Sequence, residues 1–484
     1  MVFSSHFFVY YFLPLALGLY YCSPRWGRHL MLTLLSYAFY GWANPLFVFL
    51  MLFSTTVDYL CGLAMAERLA DWRSPIARLD RGQKRSAKQK AAVIISICTN
   101  LGLLGFFKYF NFGVDSWNQI ITAAGLDAAA WRTTLNVTLP LGISFYTFQS
   151  MSYSIDVFRG EARAMRNPID FACYVSMFPQ LVAGPIIRFQ EVEDQLHRRS
   201  HTTEKFARGV SMFALGMVKK VVLANPCGMV ADTCFDAGSI TTLDAWYGAT
   251  AYAMQIYFDF SAYSDMAIGL GLMLGFVFPK NFDSPYKADS ITEFWRRWHI
   301  SLSTWLRDYL YIPLGGNRRG QYRTYVNLAL VMLLGGLWHG AAWTFVIWGG
   351  IHGAWLAFER AQGKNAPYRR LPRVVRVAIT FVIVTVAWVF FRSADLPSAA
   401  AYLGAMFGVG QPQAGAGLIA SLIYDPYYVA IFTAACAIAF AGPQTWDWTR
   451  RITWPKVAAC AAGFWAALLL LETQSYNPFI YFIF

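Results

Sequence analysis

The sequence predicts an all-helical protein that crosses a membrane several times, and three observations support this fold class. The 484-residue chain is 57% hydrophobic, and only 14% of its residues are charged. A soluble protein carries roughly 25% charged residues. Apolar runs long enough to form spanning helices recur along the chain, and a spanning helix needs about 20 apolar residues. Basic residues are concentrated in particular loops, as the positive-inside rule requires.

Ten apolar stretches are candidate membrane helices. They are residues 6–22, 30–43, 46–66, 91–112, 138–157, 325–340, 341–358, 377–391, 424–442 and 457–471. Residues 206–224 and 245–279 are also apolar but harder to divide, so we expect about ten to twelve membrane segments. We find no internal repeat and no low-complexity linker, and we therefore predict one membrane domain over residues 1–484. The first segment has no basic flank or cleavage site, which favours a retained helix over a signal peptide.

The loop at residues 67–90 sets the expected orientation. It contains eight basic residues, among them Arg68 and Arg73, against three acidic ones, so we place it in the cytoplasm. Counting spans then puts 159–205 and 280–324 inside and 225–244 outside. The net charge of +13 fits this concentration of basic residues in cytoplasmic loops. We expect no nucleic-acid binding, because no groove-reading motif occurs.

His339 is the principal candidate for chemistry. It lies in the sequence Leu-Gly-Gly-Leu-Trp-His-Gly within the apolar run 325–358. An ionisable group at membrane depth is costly and is therefore a functional candidate by default. The alternative is a core histidine that a neighbouring helix satisfies. The adjacent glycines allow close approach of a ligand or of another helix. His352, thirteen residues later, is more typical of a hydrogen-bonding partner between helices.

His299 lies in an aromatic and basic segment that we predict to be one amphipathic helix. On such a helix Trp295, His299, Leu302 and Leu306 share one face, while Arg296 and Arg307 share another. Two readings remain open. The tryptophans and arginines could anchor the helix at the membrane surface, or Arg296 and Arg307 could form a basic mouth for a phosphorylated ligand such as coenzyme A.

Two further groups of residues leave alternatives open. Asp259 and Asp265 interrupt apolar sequence, where they could shape a polar cavity or bind helices together. Cys227 and Cys234 could pair if their loop faces an oxidising compartment, and the other six cysteines are scattered.

We find no P-loop, HExxH, GxSxG or paired-cysteine metal motif. We therefore expect no metal and no permanently bound cofactor. A transporter of an acylated carrier without acyl chemistry is the rival class, but the inverted repeat expected of many transporters is not visible.

Taken together, several segments resemble the membrane-bound O-acyltransferase family, and within it the bacterial alginate O-acetyltransferase branch. They are residues 104–112, 140–149, 178–186, 294–309, 336–340, 388–392 and 479–481. The resemblance implies a ring of tilted and re-entrant helices around a central tunnel. It also implies that His339 and His299 are catalytic. We group Arg296, Arg307, Trp305, Trp338, Asp308 and Asn317 with them as candidate residues for binding substrate or coenzyme A.

The same resemblance implies a reaction. Acetyl would come from cytosolic acetyl-CoA, cross the bacterial inner membrane, and reach an extracytoplasmic polysaccharide through a periplasmic SGNH-type acetyltransferase partner. An alginate-type polymer is the first expectation, whereas cellulose, peptidoglycan and teichoic acid are served by similar proteins. The imidazole of His339 could act as a general base or attack the thioester itself, and the sequence does not separate these roles.

Overall fold

The computed structural model describes residues 2–67, 76–126, 130–131, 135–363, 367–409, 417–474 and 476–478. Within these ranges every regular element is helical, which confirms the predicted fold class. Arg68 and Arg73 of the basic loop and the motif at 479–481 lie outside the described residues. The chain divides into two compact units, and the single domain over residues 1–484 stays a prediction.

The first unit comprises residues 6–201 together with Leu274–Phe278. A π-helical stretch, Phe7–Phe12, leads directly into the first α-helix. The α-helices of this unit are α1 (Leu13–Cys22), α2 (Arg28–Gly41), α3 (Leu46–Met65), α4 (Ala87–Ala123), α5 (Ile143–Arg159), α6 (Pro168–Ser176), α7 (Phe178–Leu181) and α8 (Phe189–His197).

The second unit comprises residues 2–5, 202–273 and 279–484. Its described α-helices are α9 (Thr203–Val218), α10 (Asn225–Phe235), α11 (Thr242–Met273), α12 (Ile291–Arg297), α13 (Ile300–Leu306), α14 (Gln321–His339), α15 (Trp343–Gln362), α16 (Arg373–Arg392), α17 (Leu396–Met406), α18 (Ala420–Ile423), α19 (Pro426–Ala441), α20 (Thr445–Trp448) and α21 (Trp454–Thr473). Two π-helical stretches, Lys219–Ala224 and Arg307–Tyr311, extend α9 and α13.

Four helices of the described chain are long and apolar enough to cross a membrane, namely α3, α4, α16 and α21. The stretch Phe7–Cys22 and helix α19 are apolar but shorter. The remaining predicted segments are helical as well, but polar side chains interrupt them. These helices support a multi-pass membrane protein, while the number of spans stays a prediction.

Residues 225–244 are largely helical and not the loop that we predicted, while the side of the membrane that they face stays a prediction. Helix α10 occupies Asn225–Phe235 and continues directly from the π-helical stretch Lys219–Ala224. Cys227 and Cys234 are both buried on this helix. Because seven residues of helix span about 10 Å, the two thiols are too far apart for the disulfide that the sequence allowed.

The acidic residues of α11 bind helices together. Asp265 pairs with Lys219 at 2.8 Å, and Asp259 pairs with Lys220 at 2.8 Å. Both lysines lie in the π-helical stretch that follows α9. The second pair is almost fully buried, with its side chains 3% and 1% exposed. Of the two readings that the sequence left open, the structure favours the link between helices.

Helices α14 and α15 pack closely because glycines face each other across the contact. A Cβ atom added to Gly336 would lie 2.3 Å from the carbonyl oxygen of Phe345, and one added to Gly349 would lie 2.3 Å from that of Met332. Only glycine allows this approach. The sequence suggested that the glycines beside His339 allow close approach of a ligand or of another helix. In the structure they allow the close approach of a neighbouring helix.

Candidate active site

The segment that carries His299 is two helices, and the single amphipathic helix predicted from the sequence is wrong. Helix α12 ends at Arg297 and α13 begins at Ile300. Between them His299 adopts a left-handed conformation with φ of 44°, which is uncommon for a residue other than glycine. Trp295, His299, Leu302 and Leu306 therefore do not share one helix face.

Backbone hydrogen bonds explain why the chain can break here. The N–H of Ile300 donates to the carbonyl of Asn281 at 2.9 Å, and the N–H of Asp283 donates to the carbonyl of Arg297 at 2.9 Å. The segment at 281–283 thus supplies the partners that a continuous helix would have supplied. A left-handed residue costs about 1–3 kcal/mol, and such strain is concentrated at functional sites.

Asn281 also determines the tautomer of His299. Its Oδ1 accepts hydrogen bonds from the backbone N–H of Ser301 at 3.2 Å and from the Ser301 hydroxyl at 2.9 Å. This fixes the amide orientation, because a backbone N–H can only donate. Nδ1 of His299 lies 3.2 Å from the same oxygen, closer than its 3.4 Å distance to the Ser301 hydroxyl, which favours the tautomer with the proton on Nδ1.

The opposite ring nitrogen of His299 is consequently an acceptor. Nε2 is buried and has no hydrogen-bond partner among the described residues, and the whole residue is 0% exposed. In the neutral ring with Nδ1 protonated, Nε2 keeps its lone pair. His299 can therefore accept a proton at Nε2.

His339 is the last residue of α14 and is 6% exposed. Aromatic rings surround its imidazole edge-on: the centroids of Trp348 and Phe391 are each 5.3 Å away, and that of Trp338 is 5.0 Å away. The centroid of His299 is 6.3 Å away. The structure thus brings together the two histidines that the sequence singled out.

A cavity of about 280 Å³, the His339 cavity, opens onto this histidine. Its wall is mainly apolar and comes from α12, α13, α14 and α15, including Leu302, Met332 and Trp348. Arg296 and Arg307 also line it. Both are largely exposed, with side chains 72% and 60% accessible. The cavity therefore combines two exposed guanidinium groups with one buried imidazole.

The other candidate residues lie around the cavity without lining it. Trp338 packs against both histidine rings, and Trp305 is buried against Tyr309 at 5.0 Å. Asp308 binds the guanidinium of Arg307 through two contacts of 2.7 and 3.1 Å. Asn317 is exposed in the turn before α14. None of the last three is among the lining residues of this cavity, so their assignment to ligand binding stays a prediction.

His352 is a hydrogen-bonding partner between helices, as the sequence indicated. It is buried on α15, and its Nδ1 accepts a hydrogen bond from the indole N–H of Trp295 on α12 at 3.2 Å. Seven residues further along α15, the carboxylate of Glu359 accepts from the backbone N–H groups of Ile291 and Thr292 at 2.6 and 2.9 Å. Helix α15 thus holds α12 at two points.

Sequence reasoning missed Asn281 and Glu359. Asn281 lies 18 residues before His299, in a loop with no recognisable motif. Glu359 is a charged residue near a helix end, where solvent exposure is the ordinary expectation. Phe391 belongs to a segment that the resemblance did single out, but nothing in the sequence connected it with His339.

Comparison with known proteins defines the class. Residues 131–395 match the model of the membrane-bound O-acyltransferase family, and the chain belongs to this family. Both histidines of the site lie inside the matched region. The protein is thus a multi-pass membrane O-acyltransferase, as its apolar helices and the resemblance of its motifs predicted.

Several relatives are named as O-acetylases or O-acetyltransferases. The chain is 46% identical to the probable alginate O-acetylase AlgI of Pseudomonas putida over 507 aligned residues, covering 100% of both chains. It is 51% identical to the protein of that name from Pseudomonas aeruginosa over 85% of this chain and 75% of the relative. It is 36% identical to the peptidoglycan O-acetyltransferase of Helicobacter pylori over 84% of this chain and 80% of the relative.

Proposed function

We propose that this protein takes acetyl from cytosolic acetyl-CoA and passes it across the bacterial inner membrane for O-acetylation of an alginate-type polysaccharide. The observation that carries the proposal is the His339 cavity, which is lined by two exposed arginines and by the buried His339, whose ring centroid lies 6.3 Å from that of His299. The full-length similarity to alginate O-acetylases supports the choice of polymer. A periplasmic SGNH-type acetyltransferase would complete the transfer.

The cavity suits a donor with a phosphorylated end and a small acyl end. Guanidinium groups bind phosphate through several donors at once, and Arg296 and Arg307 present two of them. The acetyl thioester would lie in the apolar part beside His339, from which bulk water is excluded. Water exclusion strengthens the electrostatic interactions available to the reacting carbonyl.

Two routes are consistent with this geometry. In the first, His339 accepts the proton of an acceptor hydroxyl as that hydroxyl attacks the thioester carbonyl, and the C–S bond breaks to release coenzyme A as the thiol. In the second, a nitrogen of His339 attacks the carbonyl, coenzyme A leaves, and the acyl-imidazole then passes acetyl to the hydroxyl. In either route we propose that Nε2 of His299, which has no hydrogen-bond partner among the described residues, receives or relays a proton.

A single pair of variants tests the role of His339. We expect His339→Ala and His339→Gln to lose coenzyme A release from labelled acetyl-CoA by a factor of about 10² or more, because glutamine cannot accept a proton at neutral pH. His6→Gln, which changes an exposed histidine outside the site, should keep normal activity. The measurement is thiol release by purified protein, with size-exclusion profiles to verify folding.

The outcomes separate enzyme from transporter and one polymer from another. Near-normal thioester cleavage by His339→Gln would remove both the base and the nucleophile roles. Transport of an acylated carrier by wild-type protein, with no thiol released, would favour the transporter class. Deleting the gene and assaying acetyl esters on each surface polymer would identify the acceptor, and unchanged alginate acetylation would contradict the proposed polymer.

A further inference from the structure

A second cleft, in the first unit, is lined by basic side chains, and none of its lining residues belongs to the candidate active site. It has a volume of about 860 Å³ and is formed by the turn between α1 and α2 and by the chain that follows α8. We call it the basic cleft. Its lining residues are Tyr21, Arg25, Arg28, His29, Leu196, His197, Arg198, Arg199, Ser200 and His201.

The back of the basic cleft is held by a hydrogen-bond network. The guanidinium of Arg199 donates to the hydroxyl of Tyr20 at 2.7 Å and to Nε2 of His29. His29 in turn donates from Nδ1 to the carboxylate of Asp170 at 2.5 Å. Arg199 also stacks on the ring of Phe276, with its guanidinium carbon 4.2 Å from the centroid. These bonds fix the wall before any ligand is present.

Three other arginines of the cleft have guanidinium groups available to a ligand. Within the described part of the chain, Arg25, Arg28 and Arg198 form no ion pair, and no carboxylate is among the lining residues. Nε of Arg28 is buried without a hydrogen-bond partner in that same part, while its guanidinium carbon lies 5.4 Å from the ring centroid of Tyr20. Burying a donor without a partner is unfavourable, so an acceptor is expected here.

We infer that the basic cleft is a binding site for a phosphate group. Arginine forks match phosphate oxygens with several donors, and the fixed wall lowers the entropy cost of binding. The volume lies in the range of pockets that hold a whole small molecule, so a phosphate ester fits better than a bare ion. The cleft lies at the ends of apolar helices, where an anionic lipid headgroup and a soluble phosphate ester are both within reach.

Two arms of one experiment distinguish the lipid from the soluble ligand. In the first, full-length protein is reconstituted in nanodiscs of phosphatidylglycerol and phosphatidylcholine, released into neutral detergent, and analysed by native mass spectrometry for retained phosphatidylglycerol. In the second, lipid-depleted protein is titrated with inorganic phosphate and pyrophosphate, and the apparent Tm is followed.

The cleft variant carries Arg28→Gln and Arg198→Gln. The matched control carries Arg81→Gln and Lys84→Gln, which remove the same charge from an exposed loop.

We expect the cleft variant to lose ligand and the control to behave as wild type. Each basic residue near an anionic surface contributes about fivefold in affinity, so retained phosphatidylglycerol or the affinity for pyrophosphate should fall at least about fivefold. A loss in the first arm identifies a headgroup, and a loss in the second arm a soluble ester. Equal loss in cleft and control variants, or no loss in either arm, would overturn the proposal. If the double variant misfolds, the exposed single change Arg198→Gln gives the same comparison.

Discussion

At the scale of single residues, the site depends on a side chain that takes no part in bond making. Asn281 holds Nδ1 of His299 protonated and thereby leaves Nε2 as the acceptor. It also links the site to α11, because its amide donates to the hydroxyl of Ser264 at 2.9 Å. We regard Asn281 as a positioning residue, since it acts through His299.

Changing Asn281 should alter catalysis with little effect on donor binding. We expect Asn281→Ala to lower kcat for acetyl transfer about 10- to 100-fold, because the ring of His299 loses its fixed tautomer, while KM for acetyl-CoA stays near normal. Ser264→Ala removes only the outer hydrogen bond and should have a smaller effect. A raised KM with unchanged kcat would indicate that Asn281 shapes the donor site instead.

The conservative variant Asn281→Asp separates positioning from packing. The carboxylate keeps the acceptor for Nδ1 and adds a negative charge, which stabilises protonated His299. Activity should therefore recover above that of the alanine variant. The pH below which activity falls should move upward, and a pH–rate profile measures that movement. An unchanged profile with full recovery would mean that Asn281 serves only the fold.

The candidate catalytic residues were the most predictable part of the site. An imidazole within an apolar run is costly, so His339 stood out from sequence alone. The partners that orient such groups were not predictable, because they depend on contacts between segments. Asn281 is an ordinary loop residue until the backbone pairing of residues 281 and 300 brings it to His299.

At the scale of elements, the break between α12 and α13 determines what the His339 cavity can bind. Both Arg296 and Arg307 line the cavity although they belong to separate helical pieces. The sequence placed them on one helix face. The structure brings them to one cavity by another route, since the left-handed turn at His299 redirects the chain between them.

The arginines of these elements should affect donor affinity. We expect Arg296→Gln and Arg307→Gln each to raise KM for acetyl-CoA by up to about fivefold, because exposed charge pairs contribute up to about 1 kcal/mol. The effect should weaken at high salt. Arg297→Gln is the matched control, since Arg297 binds Glu293 on its own helix at 2.7 Å and does not line the cavity. A lower kcat at constant KM would assign the arginines to helix orientation.

Helix α8 offers a test of acid sensitivity in the first unit. Burial opposes ionisation of Glu193, but hydrogen bonds from Arg163 and Arg78 outweigh it and lower the pKa of this carboxyl group. A lowered folded-state pKa stabilises the protein above the unfolded value, and this contribution is lost as the pH falls through the folded value.

The apparent Tm of wild-type protein should therefore fall below about pH 4.3, the ordinary glutamate value, more steeply than that of Glu193→Gln. At pH 7 the variant should be less stable than wild type, by about 1 kcal/mol or less because both arginines are nearly half exposed. Thermal unfolding in detergent from pH 3 to pH 7 measures both effects. Parallel curves for the two proteins would contradict the assignment.

The positions of most helices were predictable because apolar runs and helices coincide. Two elements were not. The break at His299 lacks the glycine that usually marks a left-handed residue. Helix α10 lies in a stretch that we predicted to be a loop, yet its Asp232 binds the guanidinium of Arg392 from α16 at 2.7 Å. Pairing with a distant segment made a helix possible where local composition suggested a loop.

At the scale of the whole molecule, the orientation in the membrane follows from charge and can be tested directly. Sequence suggests Ser86 as a labelling position in the basic loop. However, Ser86 forms a capping box with Gln89 at the start of α4, so a cysteine there would disturb the helix. Gln83 is exposed in the same loop and is the better reporter.

We expect Gln83→Cys to react with an impermeant maleimide only after the cells are permeabilised, because the positive-inside rule places this loop in the cytoplasm. The eight native cysteines are replaced beforehand. The parent without Gln83→Cys serves as the control for background labelling. Labelling in intact cells would reverse the orientation and move the proposed donor site away from cytosolic acetyl-CoA.

The class of the molecule was predictable because several separated segments agree with one family. Features that depend on how the helices assemble could not be predicted from the sequence. The ring of helices, the central tunnel and the single domain remain predictions, since apolar periodicity describes each helix by itself. Charge counts likewise predict which side a loop faces but not what its arginines bind.

The paired lysines after α9 have a consequence for biogenesis. Lys219 leaves the ribosome 46 residues before its partner Asp265, and Lys220 likewise precedes Asp259. We predict residues 206–224 and 245–279 to be membrane segments, and an unpaired lysine within such a segment costs up to about 3 kcal/mol during insertion. Helix α9 is therefore expected to wait at the insertion machinery until α11 has been synthesised, and the two helices to enter the lipid together. The order of synthesis and the order of integration would then differ for this protein.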